Sequence, residues 1–139
     1  MNWTHHDTWR TKGKNFCIEI THYTVPLFET GSHRWCVYAY IYPEHPTYKT
    51  FNPDGGMWQP ATDSLPLHGG CTYLRWHYGK DSKELGVQVG ADYNHLNDDH
   101  YTYIGDPISA RSIFVDAEKL FHHLSGEIPE ELCDGLATD

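Results

Sequence analysis

One stretch of this 139-residue chain carries helical periodicity, whereas four carry the period-two alternation of strands. That imbalance limits the fold to a sheet with a helix laid against it. In residues 109–124 the apolar side chains Ile113, Ala117, Leu120, Phe121 and Leu124 fall on one stripe. Asp106, Pro107 and Ser109 supply start signals for this helix, and Gly126 supplies its stop. Residues 15–24 alternate instead: Phe16, Ile18 and Ile20 share one face, and Cys17, Glu19 and Thr21 the other, as in a half-buried strand. Residues 34–42 read as its hairpin partner. Residues 71–78 and 85–92 form a second hairpin across the turn at 79–82. The expected fold class is α+β: an antiparallel β-sheet of about four or more strands with one main C-terminal helix packed on one face.

The length suits one domain, residues 1–139. Residues 1–14 read as a loose N-terminal arm, with His5 and His6 solvated. Residues 43–66 read as a long Pro/Gly-rich loop, punctuated by Pro43, Pro46, Pro53, Pro60 and Pro66. Structureless segments of that length in a small domain are usually functional or inserted. Residues 126–139 read as an acidic tail with a short helix from Pro129.

Charge removes one class of function. The chain has 10 Lys and Arg against 19 Asp and Glu, a formal net charge of −9, and its basic residues form no run. Direct nucleic-acid binding, which needs concentrated positive charge, is not expected. The four cysteines, Cys17, Cys36, Cys71 and Cys133, contain no C-x-x-C pair, which removes zinc-ribbon and redox-motif readings. No signal-type segment and no membrane-length apolar run occurs, so the expected setting is cytoplasmic, with no membrane partner. Aromatic residues make up 14% of the chain, a share that suits strands and leaves room for a recognition surface or a homo-oligomeric interface.

The chemistry-bearing residues concentrate where the second hairpin ends. Residues 92–100 hold Asp92, His95, Asp98, Asp99 and His100, directly after a strand, with His68-Gly69-Gly70 upstream. A helical turn there would put Asp92, His95 and Asp99 on one face. His68 and His95, with Asp92 and Asp98 to orient them, are the candidate catalytic residues, as imidazole–carboxylate acid/base pairs. If a divalent metal is bound, His68, Asp92 and His95 are the expected ligands; no other cofactor is expected. Gly69 and Gly70 offer backbone N–H groups to a ligand. His45 and Tyr48, in a proline-stiffened loop, would form the opposite lip, and Tyr48, Tyr73 or Tyr93 would stack on a ring. The plain alternative is a polar turn, with Asp92 and Asn94 bonding the backbone. His122 and His123, near a helix C-terminus, read as structural. No P-loop, Rossmann fingerprint, H-E-x-x-H or nucleophile elbow is present.

The order His45-Pro46-x-Tyr48, His68-Gly69-Gly70-x-Thr72-Tyr73, then Gly90-x-Asp92-x-x-His95-x-x-Asp98 and an amphipathic helix resembles a family of small uncharacterised bacteriophage and mobile-element proteins. The resemblance covers about residues 37–125. Ala91 departs from it, standing where the pattern has Phe, and residues 52–63 look inserted. It carries no catalytic assignment. It implies that His68, Asp92, His95 and Asp98 belong to one site, and a phage-type accessory role in a host cytoplasm. The function expected is binding, or hydrolysis, of a small polar or nucleotide-like ligand, in the service of counter-defence. Two alternatives stand beside it: an acidic, anti-CRISPR-like inhibitor contacting a host defence protein, and a structural or oligomeric module.

Overall fold

The computed structural model describes residues 5–26 and 31–126. Strands β1 (His6–Gly13), β2 (Phe16–Thr24), β3 (His33–Ile41), β4 (Tyr73–Tyr78) and β5 (Glu84–Asp92) form one antiparallel sheet in the order β1-β2-β3-β5-β4. Helix α2 (Arg111–Ser125) packs on one face, and a single turn, α1 (Pro60–Asp63), lies in the long connection before β4. The α+β architecture expected from the periodicities is the one observed.

Register explains where the core sits. Ile18 pairs with Ala39, Ala39 with Val89, and Val89 with Leu74, so one row of apolar side chains crosses four strands on one face. Parallel rows through Phe16, Ile41 and Val87, and through Ile20, Val37 and Ala91, complete the layer that α2 covers. The helix meets it with Ile113, Ala117, Leu120 and Leu124, all buried. Gly126, at φ 74°, ends the helix in the left-handed conformation that favours glycine, as the stop signal predicts. Among the described residues no helix is long and apolar enough to cross a membrane.

Four local expectations change. Residues 6–13 are a strand, not a loose arm: they pair with β2 along their length, and Trp9 stacks on Trp35 with ring centroids 5.7 Å apart. The polar composition hid a strand whose inward row is carried by one tryptophan. Strand β2 is buried on both faces over residues 16–20, because Arg10 and Tyr40 fold over Glu19 and bond its carboxylate. Residues 43–66 are not structureless. The buried Gln59 side chain accepts from the Asn52 amide and donates to the Asn52 and Gly56 carbonyls, which ties the loop to itself. Phe51, Ala61 and Leu65 then anchor the loop in the core. Residues 92–98 form no helical turn; a 3₁₀ segment begins only at Asp99 (Asp99–Tyr103). The short helix expected from Pro129, with the acidic tail, lies outside the described residues.

Candidate functional site

Antiparallel pairing of β4 with β5 sets Tyr73 opposite Gly90, so the loop entering β4 and the loop leaving β5 emerge at the same end of the sheet. The first loop carries His68 and the second carries His95 and Asp98. The two meet on the Asp98 carboxylate. His68 Nε2 lies 2.8 Å from Oδ2 and 3.0 Å from Oδ1. His95 approaches the same Oδ2 twice, through its backbone N–H at 3.0 Å and through Nδ1 at 3.2 Å. Asp98 is 6% exposed, whereas the imidazoles keep 27% and 28% of their side-chain surface, so the centre is closed behind and open in front. Burial opposes ionisation of Asp98, but the hydrogen bonds from His68 and the His95 backbone outweigh it and hold the carboxyl below its ordinary value.

Each imidazole is fixed from behind. The His68 ring lies flat on Tyr93, with centroids 4.2 Å apart and planes 12° from parallel. Tyr93 is itself buried, and its hydroxyl donates to Asp116 of α2 at 2.5 Å. Gly69, at φ 68°, closes over the other ring: a Cβ there would be strained and would stand 3.0 Å from His95 Cε1 and Nε2, pushing the ring back. His95 Nε2 is consequently buried without a partner, and the ring works through Nδ1 alone. Tyr101 adds an edge-on wall, 6.0 Å from His68 and 5.1 Å from Tyr93.

One nitrogen from each imidazole and one Asp98 oxygen all lie within 4.8 Å of one another. Three donors at about 2.1 Å around a tetrahedral ion sit roughly 3.4 Å apart, so sub-ångström shifts would bring these three onto one metal. Asp92, expected as the carboxylate ligand, stands at the rim. Its Oδ1 is 3.5 Å from His95 Nδ1 and accepts from the Asn94 amide at 3.2 Å, which is the turn bond of the plainer reading.

Several residues predicted for the site serve elsewhere. His45 and Tyr48 follow β3 at the opposite end of the sheet. His45 is buried, with Nε2 2.7 Å from the Leu124 carbonyl of α2 and Nδ1 accepting from the Thr47 amide. Tyr48 donates to Glu84. Tyr73 packs edge-on against Tyr38, which pairs with Gly90 on the face away from α2. The Gly70 amide bonds the Leu67 carbonyl and is not turned to a ligand. Tyr93 is the platform under His68 and not a surface for a ligand ring. Sequence reasoning passed over Tyr101 and Asp116; the latter carried a signal, as a carboxylate at the edge of the apolar stripe. Two cavities, of about 500 Å³ beside Tyr42 and Glu84 and about 820 Å³ between β1 and α2, are lined by other residues than those of the centre.

A variant separates the two ends of the sheet. His45→Ala strips the Leu124 carbonyl of its donor and is expected to cost about 2 kcal/mol of stability, read by chemical denaturation. The affinity for Zn²⁺ titrated into the same variant should stay within about twofold of wild type. A loss of affinity would show that the two loops act together.

No protein-family model matches this chain, and neither does any curated protein or solved structure. What the fold and the side chains define is an α+β domain with a His–Asp–His centre at one end of its sheet.

Proposed function

We propose that the His68–Asp98–His95 centre binds a divalent transition-metal ion and, through the positions left open on that ion, a small polar ligand of nucleotide-like character. One observation carries the reading: donors from two loops thirty positions apart converge on one partly open point. Two imidazoles and a carboxylate suit ions of intermediate softness, zinc among them, and three protein ligands leave a position for water or ligand. His68 binds through Nε2 and His95 through Nδ1, each releasing that nitrogen's hydrogen bond to Asp98. Tyr93 and Gly69 hold the rings in place throughout. Hydrolysis is the chemistry an open metal position makes accessible, through a bound water of lowered pKa. The motif resemblance supports an accessory role in a phage or mobile element, with counter-defence as the setting.

Titration of metal-stripped protein with Zn²⁺ and Co²⁺ tests the proposal. One tight equivalent is expected, with visible Co²⁺ absorption of a four-coordinate nitrogen–oxygen site. His68→Ala and His95→Ala should each weaken it at least about 100-fold. Eleven histidines give any such chain some background affinity, so binding by either variant equal to wild type would sink the idea.

A further inference from the structure

A second imidazole–carboxylate array lies on the helix-facing side of the sheet, across strands β1, β2 and β3. Asp7 pairs directly with His22 in the β1–β2 register, and its Oδ2 is 3.0 Å from His22 Nδ1. His22 Nε2 is in turn 2.7 Å from Nδ1 of His33. His22 is 2% exposed and rests on Trp35, ring centroids 4.5 Å apart, so water cannot take the place of either partner. Asp7 also receives His5, whose Nε2 stands 2.9 Å from Oδ1.

The proton count on this array is constrained. Two ring nitrogens 2.7 Å apart accommodate one hydrogen between them. With Asp7 ionised and both rings neutral, His22 donates to Asp7 through Nδ1 and accepts from His33 at Nε2. One added proton reverses that inner bond without breaking it: it enters at His33 Nε2, the His33 Nδ1 hydrogen passes to His22 Nε2, and His22 becomes an imidazolium facing the Asp7 anion. A second proton has no such route. It sets N–H against N–H at 2.7 Å and places two cations side by side.

We propose that Asp7, His22 and His33 form a two-proton latch, which holds the leading end of β1 on the sheet at neutral pH and frees it in mild acid. That end matters because Thr8 and Trp9 wall the cavity of about 820 Å³ between β1 and α2, whose floor is Ile18, Ile20 and Phe114. Opening the latch moves the Thr8–Trp9 wall of this cavity away from α2, so acidification widens the access to it.

The Asp7 anion favours protonation of the array, whereas burial and Arg34 oppose it at His33. Asp7 comes from β1 and His5 from the residue just before that strand; from β3 comes Arg34, beside His33; from the segment leading to α2, the Gly105 backbone against the His33 ring. Burial, then His22, then Arg34 hold His33 below its ordinary value. The folded chain therefore takes up the second proton less readily than the unfolded chain. The array's contribution is full above about pH 6.5 and falls as pH drops through the folded-state value. The hydrogen bond from His22 holds Asp7 below its ordinary value, with burial opposing, so Asp7 stays anionic across that window.

Amide hydrogen exchange at residues 6–9, corrected for intrinsic rates, tests the latch between pH 7.5 and 5.0. Wild-type protection is expected to fall at least tenfold. In His33→Asn, whose amide can turn to donate to His22 or accept from it but cannot be protonated, protection should change less than threefold. Constant wild-type protection, or an equal fall in His33→Asn, overturns the latch. Should that variant not fold, wild-type histidine ring resonances decide. His22 and His33 must titrate as a coupled pair in two steps, and independent single steps overturn the proposal.

Discussion

Asp98→Ala should lower stability by about 2–3 kcal/mol and abolish Zn²⁺ binding at the proposed site at the same time. Asp98 is the acceptor for three donors: the His68 ring, the His95 ring and the His95 backbone. Removing it leaves that backbone N–H without its acceptor, and the loop before β4 loses its tie to the loop after β5. The thermal midpoint should drop by roughly 10 °C for a chain of this size. Asp98→Asn keeps the shape and one acceptor but turns an N–H₂ toward the second donor, so an intermediate loss is expected. Asp92→Asn is the control. Its carboxylate is 46% exposed and accepts only a turn bond and a 3.5 Å approach from His95, so its effect should stay within about 0.5 kcal/mol. If Asp92→Asn cost more stability and more metal affinity than Asp98→Asn, the centre would have to be redrawn around Asp92.

Trp35→Ala is expected to cost more stability than Asp98→Ala. Trp35 is 1% exposed and joins four parts of the molecule. Its ring stacks on Trp9 of β1, lies under His22 of β2 and meets Phe114 of α2 edge-on, and its Nε1 donates to the Ile104 carbonyl at 2.8 Å. Truncation opens a cavity costing about 3–5 kcal/mol and strands a carbonyl costing about 1–3 kcal/mol more. That sum approaches the whole stability of an ordinary domain, about 5–15 kcal/mol. The variant should unfold at low denaturant or lose cooperative unfolding altogether, as followed by circular dichroism. Trp35→Phe keeps a ring and loses the N–H, so about 1–2 kcal/mol is expected. A Trp35→Ala protein with a midpoint within a few degrees of wild type would mean that Trp9 and Phe114 close the gap.

The strands and the helix were legible because each has one periodicity and one apolar face: Ile18, Ile20 and Val89 for the sheet, Ile113 and Leu120 for α2. Strand β1 was not legible, since its inward row is Asp7, Trp9 and Thr11, of which only Trp9 is apolar, and only pairing with β2 lays that tryptophan against the core. The same holds for the site. His68, His95 and Asp98 were picked out for their chemistry and for their place at the ends of a hairpin. Which carboxylate would be central was not written locally, because Asp92 and Asp98 are equally spaced from His95 in sequence. The Asx turn at Asn94 draws Asp92 outward, and the left-handed residue Asn97, at φ 75°, helps fold Asp98 back toward His95.

The α+β class, the two hairpins, the covering helix and the chain segments that hold the imidazole–carboxylate chemistry are written along the chain. Those follow from local periodicity, turn chemistry and residue type. The tertiary structure alone decided that His45 and Tyr48 stand at the far end of the sheet, that Tyr93 is a platform, and that Asp7, His22 and His33 line up. The physical reason is strand pairing: it joins residues by register across the sheet, over separations at which spacing along the chain carries no information.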